Sequence, residues 1–128
     1  MSMTLSVVEF KKENGQLQAN YISHSKDVIV TEYINSFISE EYISEFSVFE
    51  DDEEVIYREL DLTSVKSLSP EVDKKEDNLL TELKKTSGKS MRDEILNNLQ
   101  DIVCLNRLIK QLLLMLSNKS CIAKLIIS

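Results

Sequence analysis

The chain has 128 residues, of which 42% are hydrophobic, and its formal net charge at pH 7 is −7. This length is sufficient for one compact domain with short appendages. The acidity argues against nucleic acid and anionic membranes as partners, because both would repel the protein.

The chain begins with a predicted β-hairpin. Residues 3–12 are rich in β-forming side chains, and residues 16–22 alternate apolar with polar ones. Between them, Asn14-Gly15 is a strong turn signal, because both residues tolerate a positive φ. These two strands open the β-domain that we expect to cover residues 1–68.

Three further strands are predicted at 28–34, 42–49 and 55–62. The first is apolar on both faces at its start, so we expect it to be central in the sheet. The last carries charges that indicate a sheet edge or an outer face, and at an edge another chain could add a strand. The acidic run 50–54 lacks the glycine that a calcium loop needs, and we interpret it as a solvated turn.

Residues 69–89 are predicted to be a charged linker with a possible short helix. Pro70 cannot donate to a strand ladder, and Asp73–Asp77 is a run of charges typical of a mobile loop. Ser67 and Ser69 could be phosphorylated in such a linker, although most serines of this kind are not switches.

The strongest helix signal covers residues 90–118. From Ile95 to Leu116, 14 of 22 residues are apolar, and an isoleucine or leucine recurs every seven residues. From Leu108 onward the apolar side chains cover nearly the whole circumference, which is more than a small domain can bury. We therefore expect another chain to cover part of this helix, with a helical partner favoured. Residues 119–128 form a short apolar tail, for which a strand and a helix extension both remain open.

These elements predict an α+β fold: a small antiparallel β-sandwich, a charged linker and one long C-terminal helix. Catalytic motifs are missing from the sequence. His24 has no carboxylate or thiol spaced to work with it, and Gly88 lacks the second glycine of a phosphate-binding loop. Cys104 and Cys121 match neither a disulfide framework nor a zinc motif. We expect a non-enzymatic binding protein that uses no cofactor and no metal.

The helix also carries a family resemblance. Leu99-Gln-Asp-Ile-Val-Cys-Leu-Asn-Arg-Leu-Ile-Lys110, followed by Met115-Leu-Ser-Asn118, resembles the C-terminal helix of the fungal autophagy-related protein thirty-one family. Members of that family are the small bridging subunits of the scaffold complex that starts autophagosome formation in yeasts. The opening Met-Thr-Leu-Ser-Val-Val and the acidic middle follow a similar order.

The resemblance implies a β-sandwich that holds a second small subunit at its edge, and a C-terminal helix that docks on a long helical scaffold subunit. It implies that the docking residues are Leu99, Ile102, Leu105, Leu108, Ile109, Leu112 and Leu116. The helical spacing adds Leu113, four residues after an isoleucine, to this predicted partner-binding set.

The expected function is therefore that of a bridging adaptor, in autophagy initiation if the resemblance holds. The alternative is a homo-oligomeric structural or viral accessory protein that uses the same helix on itself, and a third reading is a small-ligand carrier. We expect neither a secretory leader nor a membrane span, because the N-terminus lacks a basic region and Arg107, Lys110 and Gln111 interrupt the apolar helix. These features favour a cytoplasmic location, at the phagophore assembly site if the resemblance holds.

Overall fold

In the computed structural model, which describes residues 3–128, the chain forms six strands and three α-helices. The strands are β1 (Thr4–Glu13), β2 (Gln16–Ser23), β3 (Val28–Ile29), β4 (Ile43–Glu50), β5 (Glu53–Leu60) and β6 (Ile122–Ile127). The helices are α1 (Glu32–Asn35), α2 (Leu62–Lys85) and α3 (Lys89–Leu116), and a short 3-10 turn covers Glu40–Tyr42.

The predicted N-terminal hairpin is confirmed. β1 and β2 pair antiparallel around the two-residue turn, with Glu13 opposite Gln16. Asn14 has φ 52° and Gly15 has φ 79°, which are the positive values that the turn requires. A register shift between Glu9 and Lys11 marks a bulge in the ladder.

The predicted β-sandwich is wrong, because five of the strands close into one barrel. Along the sheet the order is β2-β4-β5-β6-β1-β3, and β1 also pairs with β2. Alternating side chains predicted two-faced strands, but they carry no information about which strands meet to close the sheet. The strand that completes the barrel is β6, from the C-terminal tail, which pairs with both β1 and β5. The buried residues inside the barrel are Val8, Phe10, Val48 and Ile126.

The charged linker is also wrong, because most of it belongs to the 24-residue helix α2. Asp61 caps this helix by accepting a hydrogen bond from the Ser64 amide at 2.8 Å. Its buried side chains recur at three-, four- and seven-residue intervals, and the Asp73–Asp77 charges lie between them. Burial of this stripe outweighs the cost of Pro70 within the helix. The stripe consists of Val65, Leu68, Val72 and Leu79.

The strand predicted at residues 28–34 is divided between two elements. β3 has only two residues and lies at the edge of the sheet rather than at its centre. Thr31 then caps α1, because its Oγ1 accepts a hydrogen bond from the Ile34 amide at 3.2 Å. The hydroxyl at Thr31 is the local feature that ends the strand and starts the helix.

The strand expected as the sheet edge, 55–62, corresponds to β5. It pairs with β4 along its whole length and with β6 from Arg58 to Leu60. Only its first half has a single partner strand, and that half starts with Glu53 and Glu54. Charged side chains of this kind protect a strand edge from adding another strand.

Helix α3 packs between the barrel and α2, and the main core lies at this junction. Ile102, Leu105 and Ile109 on α3 are fully buried, in one cluster with barrel residues such as Leu5 and Leu125. The Val65–Leu79 stripe of α2 joins the same cluster. Of the helices in residues 3–128, none combines the length and the apolar character needed to cross a membrane.

Substitution of Val72 by Ala tests the packing of α2. Val72 is fully buried, so the change removes apolar contacts and leaves a cavity, and we expect a loss of about 2 kcal/mol in the free energy of unfolding. Urea denaturation measures it. The matched control is Lys74→Ala on the exposed side of α2, which should change stability by less than about 0.5 kcal/mol. Equal effects of the two changes would show that α2 does not pack as described.

Candidate interaction surfaces

Most of the predicted partner-binding set faces the protein's own core. Leu99, Leu113 and Leu116 are half-buried, and each packs in part against the main core. The barrel and α2 together cover the side of α3 that the sequence assigned to a partner. The fully buried members are Ile102, Leu105, Leu108, Ile109 and Leu112.

A polar contact fixes the register of α2 against α3. The Nδ2 of Asn106, a residue only 4% exposed, donates to Asp73 Oδ1 at 2.9 Å, and Lys110 Nζ lies 3.0 Å from the same oxygen. The Asn106 and Lys110 hydrogen bonds lower the pKa of the Asp73 carboxyl from its ordinary value. Asn106 Oδ1 is buried without a hydrogen-bond partner. One polar contact in an apolar seam favours a single helix register over the alternatives.

This register places a row of apolar side chains on the outside of the two helices. The two helices are antiparallel. The residue seven positions after Asp73 on α2 therefore lies opposite the residues seven positions before Asn106 and Lys110 on α3. Leu80 therefore lies beside Leu99 and Val103. Leu80 is 41% exposed.

Leu96 and Leu114 extend this row along α3, because they lie seven residues before Val103 and eleven after it. Leu114 is 74% exposed, the largest exposure of any large apolar side chain in residues 3–128. We call these five residues the outer helical face. They are Leu80, Leu96, Leu99, Val103 and Leu114.

A second candidate surface is an unpaired strand edge. β2 meets β4 at a single parallel bridge, between Gln18 and Phe49, and within residues 3–128 no strand pairs with the outer side of β2 beyond it. The His24 amide donates to the Val7 carbonyl at 3.0 Å, so the alternating antiparallel pattern turns the main-chain groups of Tyr21 and Ser23 outward.

The same edge continues into β3. The Val30 amide donates to the Met3 carbonyl at 2.9 Å, so the main-chain groups of Ile29 also point away from β1. Between the two strands, Ser25 Oγ accepts a hydrogen bond from the Val7 amide at 2.8 Å and keeps the chain close to β1. We call residues 21–23 and 28–29 the open edge.

The open edge is apolar as well as unpaired. Ile22 is 57% exposed and Ile29 is 61% exposed, while half of the Tyr21 side chain is in solvent. Natural proteins often protect strand edges with charged side chains, as the glutamates do on β5, and residues 21–23 and 28–29 carry none. Three exposed β-forming side chains on one unpaired edge indicate a binding site for an extended segment.

Two depressions flank the open edge. One, of about 490 Å³, lies between β2 and the end of β4, and its carboxylates are Glu13, Glu50 and Asp51 beside the single cation Lys11. The other, of about 630 Å³, lies between β3 and α3 and joins the open edge to the helices. Its walls include Lys26, Ile29, Thr31, Asp101, Cys104 and Arg107.

Short polar contacts hold the groove between β3 and α3 in shape. Thr31 Oγ1 donates to Asp101 Oδ2 at 2.8 Å, and Gln111 Nε2 donates to the His24 carbonyl. Next to Asp101, the Tyr33 hydroxyl is buried without a hydrogen-bond partner. Burial raises the pKa of Tyr33, and the charges of Glu82 and Asp101 raise it further.

Three side chains of types that often take part in catalysis are His24, Cys104 and Cys121. His24 Nε2 lies 3.0 Å from Glu9 Oε1, a contact that the sequence did not predict. Burial, with Glu9 nearby, raises the pKa of the Cys121 thiol. Cys104 is exposed on α3. Among residues 3–128, no three histidine, cysteine, aspartate or glutamate side chains are placed to hold a metal ion.

The barrel does contain one enclosed ion pair. Lys124 Nζ lies 3.1 Å from Glu59 Oε2, and both side chains are largely shielded from solvent. The same Nζ lies 4.6 Å from the centre of the Phe46 ring, in cation–π range. Both charges are satisfied by these contacts, so we assign the pair to barrel packing.

Comparison with known proteins gives no match: no family model, curated protein sequence or solved structure is significantly similar to this chain.

Asp73 makes the stability of the helix pair depend on pH. Its pKa is lowered in the folded protein, so its contribution is complete above the unfolded pKa of about 3.9 and is lost as the pH falls through the folded value. Asp73→Asn keeps an acceptor for Asn106 but removes the charge. We expect wild type to exceed this variant in stability at pH 7 and the difference to shrink at pH 3, measured from urea midpoints. A difference that is the same at both pH values would contradict this role.

Proposed function

We propose that this protein is a non-enzymatic adaptor that bridges two protein partners. The observation that carries the proposal is the open edge, which combines outward main-chain groups at Tyr21, Ser23 and Ile29 with three exposed apolar side chains. An extended segment of a partner would satisfy these main-chain groups as an added strand. The outer helical face supplies a second, separate surface for a helical partner.

The size of the open edge supports weak binding at that surface alone. An added hydrogen bond stabilises a complex by about 1 kcal/mol, and covering a half-exposed apolar side chain by about the same amount. A few such hydrogen bonds and a few covered side chains are offset by the loss of translational and rotational freedom on association, which costs at least about 4 kcal/mol. A second contact by the same assembly would raise the overall affinity through effective concentration, which is the advantage of a bridging protein.

Self-association through the same surfaces is the alternative function. The net charge of −7 opposes it, since two copies repel each other at low ionic strength. The depression beside β2 is acidic, so it favours a basic end on an incoming segment over a second acidic copy. These charges support a foreign partner.

We also propose a cytoplasmic location, on the basis of the sequence features. A role in autophagy initiation at the phagophore assembly site is supported only by the resemblance of the 99–118 helix segment to the fungal bridging subunits. The burial of most residues that this resemblance assigned to docking means that a helical scaffold would have to use the outer helical face instead.

A synthetic extended peptide tests the open edge. The peptide alternates valine with threonine and has a lysine at each end, and its binding is followed by NMR on the labelled protein. We expect shift changes and slower amide exchange at Tyr21, Ser23 and Ile29, because their outward N–H groups become hydrogen-bonded. A peptide with proline at its centre should bind at least about tenfold more weakly.

Two lysine substitutions separate the open edge from the other exposed strand. Ile22→Lys places a charge on the open edge and should abolish peptide binding. Ile56→Lys is the matched control, because Ile56 is 55% exposed on β5. If Ile56→Lys abolishes binding and Ile22→Lys does not, the added strand belongs on β5 and the assignment is wrong. If the peptide perturbs neither strand, the proposed strand addition is wrong.

A further inference from the structure

We propose that the outer helical face docks an acidic amphipathic helix. The inference names the class of helical partner, and it rests on the proposed adaptor function only in requiring that the protein binds proteins. The open edge takes no part in it. The two surfaces can therefore be tested separately, and one can fail without the other.

The shape of the surface selects a helix. Two antiparallel helices fixed in register leave a shallow groove between them, and the Asp73–Asn106 contact holds that register. Leu96, Val103 and Leu114 recur along α3 at seven- and eleven-residue intervals, so they form an apolar ridge along the helix, with Arg107 and Lys110 in the interval before Leu114. A third helix can lay an apolar stripe against such a ridge at a shallow crossing angle.

The charge of the surface selects an acidic partner. Four exposed cations lie on the same side of the helix pair as the apolar ridge, as helical spacing shows. Lys66 is seven residues before Asp73, and Lys84 is four residues after Leu80. Arg107 and Lys110 lie between Val103 and Leu114. By the same spacing, Lys89 and Arg92, seven and four residues before Leu96, add two cations to this side. The acids on this side are Asp73, already paired with Lys110, together with Asp77, Glu76 four residues before Leu80, and Asp93 three residues before Leu96, so the cations outnumber the acids by six to four.

This basic face is unusual in a chain that carries a net charge of −7. The acidic residues concentrate elsewhere, for example in the Glu50–Glu54 turn of the barrel. A partner helix with glutamates flanking its apolar stripe would meet opposite charges along the ridge. A second copy in face-to-face contact would instead place cations opposite cations.

A pair of designed peptides tests the inference. Both are amphipathic helices of about three heptads with the same isoleucine and leucine stripe, and their flanking positions carry glutamate in one peptide and lysine in the other. Fluorescence anisotropy against the full chain measures both. We expect the acidic peptide to bind at least about tenfold more tightly than the basic one. Its affinity should fall as salt rises, because exposed charges are screened.

Substitutions in the protein locate the site. Leu96→Ser together with Leu114→Ser should weaken the acidic peptide at least about tenfold, because both side chains lie on the ridge. Arg107→Glu together with Lys84→Glu should remove the preference for the acidic peptide and most of its salt dependence. Ile56→Ser removes an apolar side chain from β5 and Ile22→Lys alters the open edge; neither should change binding. Circular dichroism confirms that each variant is folded.

Several outcomes would overturn the inference. Equal affinity for the two peptides would show that charge does not select the partner, and lack of saturable binding of the acidic peptide up to about millimolar concentration would show that the face is not a helix site. A concentration-dependent dimer in sedimentation that Leu96→Glu dissociates would show that a second copy covers the face. Failure of the open-edge peptide to bind has no bearing on these results, since that surface is separate.

Discussion

The burial of α3 between the barrel and α2 is the constraint on which the rest of the structure depends. Its apolar side chains, such as Leu105 and Ile109, are shared by a core that reaches from Leu5 on β1 to Val72 on α2. β6 follows α3 after a short turn and completes the barrel between β1 and β5. Since the helix layer supplies both the core and the position of the closing strand, barrel and helices form one structural unit rather than separate domains.

This arrangement decides which surfaces remain for function. The face of α3 with the densest leucine pattern is buried in the protein's own core. A partner can therefore bind only the side chains and main-chain groups that remain exposed in the folded protein. On the helices, that is the outer helical face, where Leu114 is 74% exposed. On the sheet, the exposed surface is the open edge. This edge is unpaired because β4 turns back into β5 soon after Phe49 and cannot pair with the rest of β2.

The parts that the sequence predicts well are those with a local cause. The Asn14-Gly15 turn and the seven-residue spacing of α3 act within a few residues, and both elements appear where expected. Barrel closure and the open edge depend on where strands distant in sequence end. The alternation of apolar and polar residues along one strand does not encode these end points. α2 is a different case: its buried stripe from Val65 to Leu79 was present in the sequence, but Pro70 and the charges of its solvent face obscured it.

The two proposed surfaces bind their partners separately, but both border the groove between β3 and α3. Arg107 flanks the outer helical face and Ile29 ends the open edge, and both line this groove. The loop between them is held to β1 through Ser25 and to α3 through Gln111. An occupant that shifts this loop from one side changes the surface offered to the other. Any such coupling must be reciprocal in free energy, so each partner would alter the affinity of the other by the same factor.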